Sequence, residues 1–578
     1  MNNEVATLGL SKMRFGSVVN ALVAIAFLLV SCKSGEENAT NENASETETF
    51  ENPILPGFYP DPSVYRVGEN YYLVNSSFAY FPGVPIFQST DLVNWVQLGH
   101  VLDRPEQLDL EGLGISRGIF APTIQYHEGT YYMLTTLIDN GGNFVVTATD
   151  PAGPWSNPHW LPTVRGIDPS LYFDESGKSF VIYNGDPPGR PLYDGHRAIR
   201  MIEFDLATLK TIGEDRVLVN GGVNIDEKPV WIEGPHIFKR GEFYYLCAAE
   251  GGTSVNHSQV IFRTRDLNDP FIPYENNPIL TQRHMDPNRE NPVSATGHAE
   301  LVQTQNGEWW ATFLATRPYD LDDSYNIGRE VFLAPVTWTE DDWPIINADF
   351  EAVQFSYPLP DLPKSNQPMD FPKSGSFTLE DRFDSEELKP YWMFIRVPKE
   401  EWFSLSSDGI EMKLREETVG GTSNPSFIGR RQQHQVGYAT TDLDFSPKAP
   451  AEKSGLLLFQ NETHHLLFGK SLNGEGEVVL GLWQSDDNGE LNLLQEEVLE
   501  SDGKIQLKVV FDKALYKFEY RTAVSENWEG FYDFEEGTFL STRVAGGFVG
   551  VVMGPYASSS GEPSSNTAQF SQFTYSGE

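Results

Sequence analysis

Three acidic residues stand at nearly equivalent points of a recurring segment and could act together on one bond. Asp61 opens Asp61-Pro62-Ser63, Asp168 opens Asp168-Pro169-Ser170, and Glu233 opens Glu233-Gly234-Pro235-His236. Cleavage of a glycosidic bond with inversion needs two carboxyl groups. One, protonated, meets the leaving oxygen; the other, ionised, takes a proton from water on the opposite face. A third carboxylate near the acid raises its pKa by like-charge repulsion and keeps it protonated near neutral pH. Asp before Pro is also a common turn former, so any one of these motifs alone says little. Their shared register with a repeat is what points to catalysis.

That repeat occurs five times, opening near Asp61, Ala121, Asp168, Gly234 and His298. Each copy has a short apolar run, a turn at Gly68, Gly129, Gly177, Gly241 or Gly307, and a return strand that is usually aromatic, such as Tyr71-Tyr72-Leu73-Val74. Intervals between Pro62, Pro122, Pro169, Pro235 and Ala299 are about 60, 47, 66 and 64 residues, which suits propeller blades of four strands. An all-β sandwich would place turns every 8–12 residues or so without such a superperiod. The expected fold is therefore all-β: a five-bladed β-propeller over residues 52–356, whose inner strands face one another across a channel. Glu233 sits one residue ahead of the position held by Asp61, Asp168 and His298, and one step along a strand reverses the face. A bulge would re-aim it.

Residues 357–375 carry five prolines and read as a semi-rigid linker. From 376 to 578 the superperiod disappears and alternating strands take over, as in Ile505-Gln-Leu-Lys-Val-Val-Phe, predicting an antiparallel β-sandwich. Its tryptophans Trp392, Trp402, Trp483 and Trp528 are read as core more readily than as a sugar platform.

Residues 1–31 read as a lipoprotein signal peptide. Lys12 and Arg14 precede an apolar stretch, Val18 to Val30, too short to span a bilayer, and Leu29-Val30-Ser31-Cys32 resembles a lipobox with Cys32 as the lipidated residue. Residues 32–51 are polar and acidic, as a flexible tether would be. The expected location is the bacterial outer membrane, on its periplasmic or outer face, with membrane contact only through the lipid. The net charge of −41 argues against nucleic acid, whose phosphates require Lys and Arg. Cys247 is the only other cysteine, so no disulfide framework or CxxC metal site exists.

The motifs resemble glycoside hydrolase family 43. The likeness runs through Glu51-Asn-Pro-Ile-Leu-Pro-Gly-Phe-Tyr-Pro-Asp-Pro-Ser, Tyr80-Phe-Pro-Gly-Val-Pro-Ile-Phe, Trp231-Ile-Glu-Gly-Pro-His, Thr296-Gly-His-Ala-Glu-Leu and Gly328-Arg-Glu-Val-Phe-Leu. The second domain, through Phe427-Ile-Gly-Arg-Arg-Gln, resembles the concanavalin A-like (jelly-roll) sandwich of the β-xylosidase branch, where this domain lends a loop to the pocket. The resemblance implies that Asp61 is the general base, Glu233 the general acid and Asp168 the residue that tunes the acid and orients substrate. It further implies that Arg329 hydrogen-bonds the terminal sugar, that Phe78 and Phe120 wall the first subsite, and that His298 lies beside or ligates a water-coordinated structural calcium. Phe120 stands where Trp is common, which removes an N–H donor. No cofactor is required by this scheme.

The implied substrate is an oligosaccharide derived from hemicellulose such as xylan or arabinoxylan. The implied activity is exo-acting, inverting release of a terminal β-D-xylosyl or α-L-arabinofuranosyl unit, with the two pentoses left open. The alternative is a noncatalytic glycan-binding surface lipoprotein that uses the propeller channel, which predicts loss of one carboxylate; all three are present.

Overall fold

Each repeat folds as a sheet whose first strand carries the Pro-headed segment and whose second returns after the glycine turn. The structure, a computed structural model, describes residues 48–365, 371–500, 502–522, 525 and 527–578. Among these, five successive sheets of four or five strands begin at Ser63–Val67, at the paired segments Gly118–Ile119 and Thr123–His127, at Gly166–Phe173, at Glu233–Arg240 and at Ser294–Gln303. These first strands touch in sequence, and the fifth contacts the first, so the sheets form a closed ring. Apolar residues alternate into clusters between neighbouring sheets: Tyr72, Ile86, Ile124 and Phe144 between the first two, Ile182, Ile199, Leu246 and Phe262 between the third and fourth.

A belt of polar contacts follows the ring at one repeat position, the residue after the proline. Ser63 Oγ accepts the Ile124 N–H at 3.1 Å. Thr123 donates to the Pro169 carbonyl at 2.8 Å, and Ser170 to the Pro235 carbonyl at 2.5 Å. His236 Nδ1 approaches Glu300 Oε1 at 3.1 Å, though not in hydrogen-bond alignment. Glu300 Oε2 closes the circle by accepting from Ser63 Oγ at 2.6 Å and the Val64 N–H at 2.8 Å. Each blade is thus stitched to the next through buried groups that have no water to fall back on. Glu300→Ala strips partners from two buried donors, at a cost of about 1–3 kcal/mol each. Denaturant unfolding should show a destabilisation of roughly 2–6 kcal/mol by the same reckoning; an unchanged midpoint would rule out the belt as a source of ring stability.

Both ends of the propeller differ from expectation. Thr49–Glu51, assigned to the tether, is a strand paired with Ser356–Pro358, whose Tyr357 was assigned to the linker. Phe50 and Tyr357 are buried and stack on each other with ring centroids 6.0 Å apart. Two isolated aromatics in polar surroundings carry no periodic signal, but burying them recovers apolar area and ties the chain's entry to its exit. The leader, Cys32 and the tether up to residue 47 lie outside the described residues.

The second domain is a sandwich of two antiparallel sheets. An eight-stranded sheet centres on Thr567–Gly577 and Val436–Asp444; a six-stranded sheet runs from Arg430–Arg431 through Val552–Ser558 and Lys453–Asn461 to Leu491–Val498. Between them lie Trp392, Trp402, Leu456, Phe468 and Phe570. The outer face of the six-stranded sheet packs on the propeller: Leu457, Phe459, Leu467 and Trp483 cluster with Phe58, Phe78 and Tyr80. Trp392, Trp402 and Trp483 are therefore core residues, and Trp528 is half-buried beside Lys508 and Arg521. Phe394–Ile395 also pairs as a strand with Tyr80–Phe81 of the propeller, so the domains share backbone hydrogen bonding as well as apolar contact.

Candidate active site

The register question raised by Glu233 is resolved by the backbone. Asp61, Asp168, Gly234 and His298, each just before the repeat's Pro or Ala, have φ of 55°, 55°, 56° and 48°. The pairing slips at the same places, between Ile167 and Ser170, between Glu233 and His236, and between Gly297 and Glu300. A left-handed residue at a bulge turns the strand locally and redirects its side chain. In three blades that position carries a side chain that lines the pocket. In the fourth it is glycine, and the acid comes from the residue before it. A Cβ on Gly234 would lie 2.6 Å from His298 Nε2, so the histidine of the fifth blade packs where any other residue would place a side chain. The second copy, with Ala121, has no left-handed residue at this position.

Asp61, Asp168, Glu233, His298, Arg329, Phe78 and Phe120 all line one pocket of about 370 Å³. Asp61 accepts from Ser76 Oγ at 2.6 Å and from Arg329 Nη1 at 3.2 Å, and His298 Nδ1 lies 3.6 Å away. Burial alone would raise its carboxyl, but Arg329, His298 and the Ser76 hydrogen bond outweigh that and hold it below the ordinary value. Glu233 is shifted the other way. Burial comes first, then the negative charges of Asp168 and Asp61, and its carboxyl rises well above the usual range. Asp168 is also raised, by burial and by Asp61, against the opposing Gly234 N–H, which donates to Asp168 Oδ2 at 3.1 Å. One buried carboxyl is thus kept ionised and another kept protonated within the same pocket, which is the division of labour acid–base catalysis requires.

His298 does not fit a direct ligand role. Its ring is pushed down to about 4 by burial, with Asp61 opposing, and so is neutral. It is packed against Gly234 on one side, and a lone imidazole is a poor donor for a hard cation. Among the described residues no three His, Cys, Asp or Glu side chains converge as a metal site. A calcium held directly by side chains therefore lacks a ligand set among the described residues, and a water-coordinated ion would meet the protein here through His298.

Sequence reasoning missed Arg117, Trp231, Thr253 and Phe548, which line the same pocket. Phe548 comes from the sandwich. It stacks on Phe78 with centroids 5.9 Å apart at 20°, meets Phe120 edge-on at 5.9 Å, and lies under the Arg329 guanidinium at 5.4 Å. Its loop is fastened to the propeller where Phe548 N–H donates to Ser116 Oγ at 2.9 Å and Val551 N–H to the Asn326 carbonyl at 2.7 Å. Gly328 has φ of 81°, and a Cβ there would meet Phe58 Cβ at 2.6 Å and Gly550 N at 3.0 Å, which explains the glycine preceding Arg329. The expectation that the sandwich contributes a loop to the pocket therefore acquires a residue. The glycine-rich context Gly546-Gly547-Phe548-Val549-Gly550 was the available signal.

A ring of sheets with a buried acid pair and a sandwich domain closing one wall is the architecture of a glycosidase. The model for glycosyl hydrolases family 43 matches residues 50–344, and that for the beta xylosidase C-terminal concanavalin A-like domain matches residues 380–576. The chain belongs to glycosyl hydrolase family 43. It is 38% identical to a xylosidase/arabinosidase of Butyrivibrio fibrisolvens over 90% of this chain and 98% of that one. It is 36% identical to a non-reducing end alpha-L-arabinofuranosidase of Bacteroides ovatus over 91% and 95%. Among solved structures, a family member retrieved from a capybara gut metagenome has a TM-score of 0.82 at 40% identity, covering 90% of this chain and 97% of that one.

Proposed function

We propose that this glycosidase is exo-acting and inverting, and that it releases a terminal β-D-xylosyl or α-L-arabinofuranosyl unit from glycans of the xylan or arabinoxylan type. The observation that carries the reading is the opposed tuning of Asp61 and Glu233 in one pocket. Asp61 takes a proton from water as the oxygen attacks the anomeric carbon. Glu233 delivers its proton to the departing glycosidic oxygen, so the sugar leaves as a hemiacetal with inverted configuration. Asp168, hydrogen-bonded to the N–H of Gly234, anchors the backbone of the acid and adds the charge that keeps it protonated. Arg329 holds Asp61 and presents its remaining N–H groups to the terminal sugar. Phe78, Phe120 and Phe548 wall the pocket and favour a single terminal unit over a continuous chain. Relatives named for both pentosides support leaving both in the substrate class.

The test is a panel of chromogenic pentosides with the purified chain, followed by proton NMR of the first product. Release of xylose or arabinose as the inverted anomer is expected. Binding of oligosaccharide without hydrolysis of any pentoside would favour the noncatalytic alternative, and the retained anomer would exclude the single displacement. Cys32, after cleavage behind Ser31, anchors the enzyme to the outer membrane by lipid. Metabolic labelling with a fatty acid should mark the chain and fail in Cys32→Ser; label persisting in that variant would remove the anchor.

A further inference from the structure

Trp231 is held in a conformation that tryptophan rarely adopts. Its φ is +51°, a left-handed value that costs a bulky residue about 1–2 kcal/mol and that glycine would adopt without penalty. The residue is nevertheless 39% exposed, so part of the strained indole stays open rather than packed in the core. Its position is fixed by the loop that joins Ser179–Gly185 to Ala198–Asp205 in the third blade. The Trp231 N–H donates to the Gly195 carbonyl at 2.9 Å, and the Arg197 guanidinium lies over the indole at 5.0 Å. Arg197 is itself held by Asn184, whose Nδ2 donates to the Ile232 carbonyl at 2.6 Å, so the same network braces the residue next to the acid. The indole lines the catalytic pocket two residues before Glu233.

The general acid must touch the glycosidic oxygen, so the leaving group lies on the side of Glu233. An indole held by the Arg197 guanidinium and lining the pocket offers a flat apolar ring there, of the kind that receives the C–H face of a sugar ring. We infer that Trp231 is the platform for the sugar on the leaving-group side of the scissile bond, and that it selects glycan over small leaving groups. This rests on the glycosidase scheme above for its assignment of sides.

The experiment compares two substrates that share the terminal pentose released by the wild type: an unsubstituted disaccharide and the corresponding glycosyl fluoride, whose leaving group has no ring to stack. In Trp231→Ala the loss of kcat/KM on the disaccharide should exceed that on the fluoride by at least tenfold, mainly through KM, and Trp231→Phe should recover most of it. Equal losses on both substrates would make Trp231 a structural residue and overturn the assignment. A binding measurement needs no turnover. In a Glu233→Gln background, calorimetry should show Trp231→Ala weakening the disaccharide at least tenfold more than the free pentose; matched affinities would likewise overturn it. Failure of the wild type on every pentoside would sink the glycosidase scheme alone, since calorimetry would still decide the platform.

Discussion

Glu233→Gln should lower kcat on a disaccharide by about 10²–10⁴-fold, the usual contribution of a general acid. On a dinitrophenyl pentoside the loss should be far smaller. A sugar alkoxide is too basic to leave without a proton, whereas dinitrophenolate departs unaided, so the cost of losing the acid follows the basicity of the leaving group. Glutamine has the shape and neutrality of the protonated acid but cannot give up a proton. The pocket already holds Glu233 in that neutral form through burial and the charges of Asp168 and Asp61. Substitution should therefore cost no stability. A group whose folded pKa is raised adds stability below its unfolded pKa, and that contribution disappears as pH rises through the folded value. Between the two values the unfolded chain ionises Glu233 while the folded wild type holds it protonated, so Glu233→Gln should melt higher than the wild type, by a margin that grows across that interval and levels off above it. Loss of equal size on both substrates, or unchanged turnover, would transfer the acid role elsewhere. Asp168 is the obvious recipient, and its own leaving-group dependence would settle the transfer.

The parts of this site that were legible in the sequence share one cause. Inner strands of a propeller do the same job in every blade, so Asp61, Asp168 and His298 recur at one repeat position, and the left-handed backbone there is common to all three and to Gly234. Glu233 looked out of register because side-chain alternation assumes an unbroken strand. The bulge between Glu233 and His236 breaks it. Phe548 had only the glycine-rich stretch around it as a signal, for a different reason. It reaches the pocket only because the outer face of the six-stranded sheet is glued to the first blades by Phe58, Tyr80, Phe459 and Trp483, and such contacts between distant segments leave no local pattern. Phe50 and Tyr357 were misplaced in tether and linker because a single aromatic among polar neighbours has no period to betray a strand. Trp231 heads the Trp231-Ile-Glu-Gly-Pro-His segment, yet a strained backbone has no signature in residue type when the residue is not glycine.

Asp61→Asn should also cost about 10²–10⁴-fold in kcat, but with a different pattern. The base acts on water, whose deprotonation is needed whatever departs, so disaccharide and dinitrophenyl pentoside should suffer alike. The two variants together separate the roles: loss graded by leaving group marks the acid, and uniform loss marks the base. The pH profile adds an independent reading. Arg329, His298 and Ser76 keep Asp61 ionised below the usual carboxylate range against its burial. The acid limb of wild-type kcat/KM should therefore lie below the ordinary aspartate range, and it should vanish from whatever activity Asp61→Asn retains. Stability follows the same shift with the opposite sign to Glu233. A depressed carboxyl contributes stability above its unfolded pKa and loses it as pH falls through the folded value. Asp61→Asn leaves the buried guanidinium of Arg329 facing a neutral amide, so the variant should unfold more readily than the wild type near neutral pH, and the difference should close in strong acid. Unequal losses on the two substrates, or a stability gap that persists in strong acid, would mean that Asp61 serves the fold or the leaving group rather than the attacking water.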